Sequence, residues 1–146
     1  MGVKEPIEVS KDWLKTADIT FKIGRYEQTL YSLEMAAEIA FKAVLLSLNL
    51  EVPKVHDIRK IIRTFLAGNK KVPKEFSNDL DEYLSTFEVL LRMRSIVGYG
   101  FENYMEKGHL EEEAQKMLSK CSKLVKSSEG AISYIKNNSA TEIKRK

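Results

Sequence analysis

Apolar residues recur every three or four positions along almost the whole chain, the spacing that lines one face of an α-helix. Val9, Trp13, Ala17 and Phe21 mark a first helix, with Gly24 placed to end it. The next stripe, Tyr26, Leu30, Leu33, Ala37, Phe41, Val44 and Leu48, has a second beside it in Tyr31, Met35 and Ile39. A helix apolar over that much of its girth must have neighbours on several sides, so it is expected at the centre. Asn49 and Pro53 frame its exit. A shorter helix is expected from Asp57, a good N-cap, through Ile58, Ile61, Ile62, Phe65 and Leu66 to a stop at Gly68-Asn69. Pro73 opens a fourth, carrying Phe76, Leu80, Tyr83, Leu84, Phe87, Leu90 and Leu91 and ending near Ser95. The fifth starts near His109, with Glu111 to Glu113 in its first turn, where the helix dipole favours acids. Its stripe runs from Leu110 to Ile135.

No alternating strand pattern and no internal repeat interrupts this periodicity. Short connections make consecutive helices antiparallel neighbours. The chain therefore reads as all-α: a single domain, an up-and-down antiparallel bundle of about five helices. Its core spans about 9–137, and a polar tail, 138–146, is expected to fray.

Composition changes this picture little. A chain of 146 residues, 43% hydrophobic and 31% charged, can bury a core without metals or disulfides. No apolar run approaches the ~18 residues that cross a bilayer, and MGVKEPIEVS lacks a signal-peptide layout, so the expected location is cytoplasmic, with no membrane partner. Cys121 is alone and on an apolar stripe, which points to a buried, inert thiol. With two histidines and one cysteine there is no sequence-local zinc set, and neither a metal nor a cofactor is expected.

Charge is more informative. The net charge is +3, yet residues 54–74 hold seven basic side chains against the single acid Asp57. Among them Arg59 and Arg63 share a helix face, with Lys60 beside Arg63. Glu102, Glu106 and Glu111 to Glu113 form an acidic counterpart. Such asymmetry suits an anionic partner or the docking of one subunit on another, although solvated lysines explain it equally well. On the central helix, Glu38 and Lys42 are an i,i+4 pair in the favourable order, worth only ~0.2–0.5 kcal/mol as a helix pair. Glu34 extends this polar strip by a turn, so the strip must face solvent, a cleft or a partner. His56 beside Asp57 reads as a hydrogen-bonding residue at a helix start.

GRYEQTLYSLEMAAEIAFKAVLLSLNL followed by VPKVHDIRKII resembles the HEPN family of small helical domains. The features in common are Tyr26, Ala36-Ala37, the Glu38-x-x-x-Lys42-Ala-x-Leu stretch, and Pro53-x-x-His56-Asp57-Ile58 leading into the third helix. The resemblance covers about residues 9 to 137. It implies a helical bundle that works as a homodimer and binds nucleotides or RNA. In members that cut RNA it also implies an Arg-x4-6-His motif after the fourth helix. Arg94 stands where that arginine belongs, but RSIVGYGFENY places Tyr99 where a histidine would be needed, and His109 is too far along the chain.

A tyrosine, with an ordinary pKa near 10, is a poor general base, whereas imidazole titrates near 6.5. The stretch keeps an anion-binding arginine and loses the proton shuttle. No phosphate-binding glycine loop and no Ser/His/Asp set supplies another chemistry. The sequence therefore points to a non-catalytic nucleotide-binding protein, or the partner of a minimal nucleotidyltransferase. The ligand site is expected at Arg94 and Tyr99, with Arg59, Lys60 and Arg63 facing the same cleft and Glu38 and Lys42 contributing. A degenerate ribonuclease from a toxin–antitoxin pair is the alternative, and a purely structural helical dimer is a third.

Overall fold

The computed structural model describes residues 3–98 and 107–145, the side chains of 95–98, 107 and 140–145 excepted. Among these residues six helices follow in order: α1 (Pro6–Lys22), α2 (Tyr26–Ser47), α3 (Arg59–Leu66), α4 (Lys74–Ser77), α5 (Leu80–Gly98) and α6 (Lys107–Arg145). Among the described residues there is no strand, and no helix is long and apolar enough to cross a membrane.

Contacts between helices set their directions. The Ser10 hydroxyl donates to the Ala36 carbonyl at 2.7 Å, and the Thr20 and Thr29 hydroxyls meet at 2.9 Å, so α1 and α2 run antiparallel. Phe41 meets Phe87, and Glu34 meets Arg94, which makes α2 and α5 antiparallel as well. On α6, Lys11 reaches Glu129 and Lys136 reaches Glu5, again antiparallel to α1. The result is the expected up-and-down bundle with α2 at its centre. Leu30, Leu33, Ala36, Ala37, Ala40, Phe41, Val44 and Leu45 of α2 are all essentially inaccessible. The alanines matter because a small side chain lets a neighbouring helix come close.

Three boundaries differ from expectation. The segment from Pro73 is not one helix but the single turn α4 followed by α5. The break falls at Asn78-Asp79, residue types whose side chains compete with the helix backbone for hydrogen bonds. Helix α3 begins at Arg59 with Ile58 as N-cap, one residue beyond the expected cap. Asp57 still serves the helix start, since its Oδ1 accepts from the Arg59 backbone N–H at 3.2 Å. Finally, α6 continues as one 39-residue helix through the polar tail that was expected to fray. No proline or glycine follows Gly130 to stop it.

Gly24 ends α1 with φ of +77°, in the left-handed region. A Cβ there would meet no atom within 4 Å, so the strain of Gly24→Ala is purely that of the backbone. We expect that substitution to cost about 1–2 kcal/mol. Gly130→Ala, exposed inside α6 and equally free of neighbours, is expected to stabilise by about 1 kcal/mol. Urea denaturation of the two variants checks both signs.

Candidate functional site

The polar strip of α2 turns toward other charged groups. Glu34, Glu38 and Lys42 are four residues apart in turn and therefore stack along one face. The loop after α2 brings His56 over that face, and α5, crossing antiparallel, brings Arg94. Lys42 Nζ donates to Glu38 Oε2 at 2.9 Å, and His56 Nδ1 lies 2.9 Å from Glu38 Oε1. Arg94 Nη1 donates to Glu34 Oε2 at 2.6 Å.

The guanidinium of Arg94 also lies against the imidazole. Nη1 is 3.4 Å from Nδ1, and Nη2 is 3.4 Å from Nε2. Its other neighbours are the Tyr31 ring, 5.2 Å from Cζ to the centroid, and Met35 Sδ at 3.9 Å. A cation over a tyrosine ring adds attraction of about 0.5–1 kcal/mol. Part of the second apolar stripe of α2 thus forms the floor beneath this arginine. Arg92, two positions before Arg94 and therefore on another side of α5, is exposed, whereas Arg94 is half-buried.

Burial is graded across the cluster. The Glu34 side chain is fully buried and that of Glu38 nearly so, while the His56 side chain is 58% exposed. The cluster therefore opens to solvent at the imidazole and closes at Glu34. Burial pushes the Glu34 carboxyl up to about 8, helped by the neighbouring Glu38 and opposed by Arg94. Burial works in the same direction on Glu38, but hydrogen bonds from Lys42, His56 and Glu34 outweigh it and hold that carboxyl below its ordinary range. One proton is therefore held on the Glu34 side and Glu38 stays ionised. An ionised carboxylate only accepts, so His56 donates from Nδ1, and in a neutral ring Nε2 is then the acceptor, facing Arg94 Nη2 at 3.4 Å.

Glu34 Oε1 is buried and, apart from the proton shared with Glu38, has no hydrogen-bond partner among the described residues. One donor atom each from Glu34, Glu38 and His56 lies within 4.8 Å of the others. The fold thus gathers a set of metal-binding type that the spacing of histidines and cysteines along the chain does not reveal.

The other expected site residues fall differently. Arg59, Lys60 and Arg63 have no contact with Arg94 among the described residues, and the expected lack of acids on their face is corrected. The Arg59 guanidinium pairs with Asp57 at 2.8 and 2.9 Å and approaches Glu88 at 3.6 Å, while Arg63 reaches Asp81 at 3.1 Å. The acids come from α5 and from the turn before α3, so the charge of the 54–74 segment is partly neutralised in space. Lys60 is exposed. Tyr99 lies outside the described residues. Cys121 is fully buried and donates to the Leu33 carbonyl at 3.4 Å. Burial, and then the nearby Glu34, push its thiol up to about 12, which makes it the inert thiol expected.

Residues 3–131, most of the chain, match the family model of the HEPN domain. The chain belongs to the HEPN family. No curated protein matches its sequence. The polar cluster of this HEPN domain includes Arg94, the arginine at which the resemblance implied a ligand site, but the residue beside that arginine was not foreseen. His56, 38 positions earlier, stands where the Arg94 stretch offers only Tyr99. Sequence reasoning had His56 serving the backbone at the start of α3; instead it spans two helices through Glu38 and Arg94. The signal that could have found it was the pair Glu34 and Glu38 on a helix that is apolar along two stripes. Two buried carboxylates require cationic or protic partners.

Proposed function

We propose that this HEPN domain binds a phosphate-bearing ligand, a nucleotide or RNA, at the mouth formed by Arg94 and His56, and that it acts as a homodimer without catalysis of its own. The observation that carries this reading is the way Arg94 is held. Its Nη1 is fixed by a buried carboxylate, its plane rests beside imidazole and tyrosine, and its Nε and Nη2 have no carboxylate partner among the described residues. A guanidinium fixed in this way keeps donors in fork geometry for a phosphate and loses little side-chain entropy on binding. His56 adds a partly exposed ring that can stack or, through Nε2, accept a hydrogen bond.

The dimer is supported by apolar surface that the bundle leaves open. Tyr31, Ile19 and Ile23 are 42%, 54% and 67% exposed, with Tyr134 at 43%. Tyr31 is also the floor of the Arg94 site, so an isologous interface at this stripe would set two such sites near one another. A minimal nucleotidyltransferase is the protein partner that the reading favours, and the acid-poor 54–74 segment is one surface for it.

One observation favours a second reading, RNA cleavage. His56 Nδ1–H points at Glu38 and Nε2 is left as an acceptor beside Arg94, the arrangement of a carboxylate-oriented general base next to a phosphate clamp. The two readings separate in one set of measurements. Fluorescent nucleotides and short RNAs are titrated against wild type, Arg94→Ala, His56→Ala and Arg59→Ala/Arg63→Ala at low and high salt, with the RNA examined for breakage. We expect Arg94→Ala to weaken binding at least ~10-fold, since hydrogen bonds to charged groups contribute about 1.5–3 kcal/mol. The Arg59/Arg63 pair, already engaged by acids, should matter less. Intact RNA with Arg94-dependent binding supports the binding protein. Cleavage lost in His56→Ala would replace it with the ribonuclease. Binding that none of the variants weakens would put the ligand elsewhere.

A further inference from the structure

We propose that Glu34, Glu38 and His56 form a binding site for a divalent metal ion of the zinc type, with zinc held more tightly than manganese and magnesium poorly.

The argument starts from the two carboxylates. Glu34 and Glu38 project one turn apart from the same helix into a buried space, and neither carries an N–H or O–H when ionised. Only a proton or a cation between such groups makes their proximity favourable. The cations already present act on the far sides. Arg94 bonds Glu34 Oε2 and Lys42 bonds Glu38 Oε2. The two Oε1 atoms are left over: that of Glu38 meets the imidazole Nδ1, and that of Glu34 is buried and, apart from the proton shared with Glu38, has no hydrogen-bond partner among the described residues.

Two carboxylate oxygens and one imidazole nitrogen are a borderline donor set. It suits zinc or manganese and, in the order of intrinsic affinities, zinc more than manganese. Magnesium prefers oxygen donors and keeps its waters, so it gains little here. The spacing is close to what is needed. Ligands on one tetrahedral zinc, at ~2.0–2.2 Å from the ion, lie about 3.3–3.6 Å apart, and the present donors lie within 4.8 Å of one another. Side-chain adjustment alone closes that difference. For this His56 must carry its proton on Nε2 instead of Nδ1, the proton held on the Glu34 side passes to solvent, and Arg94 Nη1, now 3.4 Å from Nδ1, must draw back while keeping Glu34 Oε2. Once bound, the ion would have Arg94 and Lys42 holding the outer oxygens of its carboxylates, the role that supporting hydrogen bonds play in metal sites generally. His56 is exposed, so the ion has a path in and can keep water on its open side.

The test supplies metal alone, without nucleotide or RNA, so its outcome is independent of the anion-binding reading. Chelator-stripped full-length protein is titrated calorimetrically with zinc, manganese and magnesium chlorides. Wild type should take up one zinc per chain, with at least ten-fold weaker affinity for magnesium, and zinc should raise its melting temperature. Glu34→Gln and His56→Ala should each weaken zinc binding at least ten-fold, while His109→Ala, on exposed α6 surface, should leave it unchanged. Circular dichroism shows whether each variant is folded. Should Glu34→Gln not fold, His56→Ala, which alters an exposed side chain, decides the matter by itself. A wild type that takes up no zinc, or zinc binding unaltered by His56→Ala, overturns the proposal, and the space between the carboxylates then holds a proton alone.

Discussion

Arg94→Ala is expected to destabilise the HEPN domain by about 1–2 kcal/mol near pH 6, and by an amount that grows as pH rises above about 8. The reason lies in Glu34. Its carboxyl is pushed up to about 8 in the folded protein, against an ordinary value of 4.5. The folded state therefore keeps a proton that the unfolded chain gives up. Stability falls as pH rises from the unfolded value through the folded one, and levels off above about 8. Arg94 is the group that pulls this carboxyl back down. Without it the proton is held to still higher pH, and the fall in stability continues beyond the point where the wild type levels off. Each further unit of pH should add up to ~1.4 kcal/mol to the difference between the two proteins.

Below about pH 8 both proteins carry a neutral Glu34, so only hydrogen bonds and packing are lost. Urea denaturation at several pH values, with chelator present so that no divalent ion replaces the proton, measures the trend. Arg94→Ala/Glu34→Gln should show no such growth, because no carboxyl remains at position 34 to titrate. A constant difference across the range would mean that Glu34 is ionised throughout, with Arg94 as its full counter-charge.

Phe41→Ala is expected to cost about 3–5 kcal/mol, the usual range for emptying a phenylalanine site in a core. Phe41 is inaccessible on α2 and meets Phe87 of α5 edge to face, with centroids 5.6 Å apart and planes at 67°. The cavity would open between the two helices whose relative position sets Glu34 against Arg94, two turns away. Ligand binding at Arg94 should therefore weaken in this variant before the domain unfolds. Phe65→Ala is the comparison, since Phe65 is 45% exposed on α3. It should cost about 0.5 kcal/mol or less, as surface substitutions usually do. Equal losses at the two positions would mean that the α2–α5 contact is not the core it is taken to be.

Much of the fold was legible because helical periodicity is a local property. The doubled apolar stripe of α2 implies a central helix without reference to any other part of the chain, and α2 is central. Gly24 and Gly68 end helices with positive φ, as their positions after apolar stripes suggest. The split between α4 and α5 was missed because one apolar stripe continues on both sides of Asn78-Asp79. The polar run after Ile135 looked frayed because it has no core to pack on, yet nothing in it breaks a helix.

For the site, sequence determined the members lying on one element. Glu38 with Lys42, and Glu34 one turn earlier, follow from spacing alone, as does the separation of Arg92 from Arg94. The tertiary structure decided what those residues meet. His56 and Arg94 are 38 positions apart and belong to no common motif; they come together because α5 crosses α2 antiparallel and the loop after α2 folds back over the same face. The same crossing sets Asp81 and Glu88 of α5 beside Arg63 and Arg59, which turns an apparently unopposed basic segment into a partly paired one. Charge along a sequence adds without regard to distance, whereas interaction energy falls with separation and rises with burial. Which acid each arginine meets was therefore decided only when the helices packed.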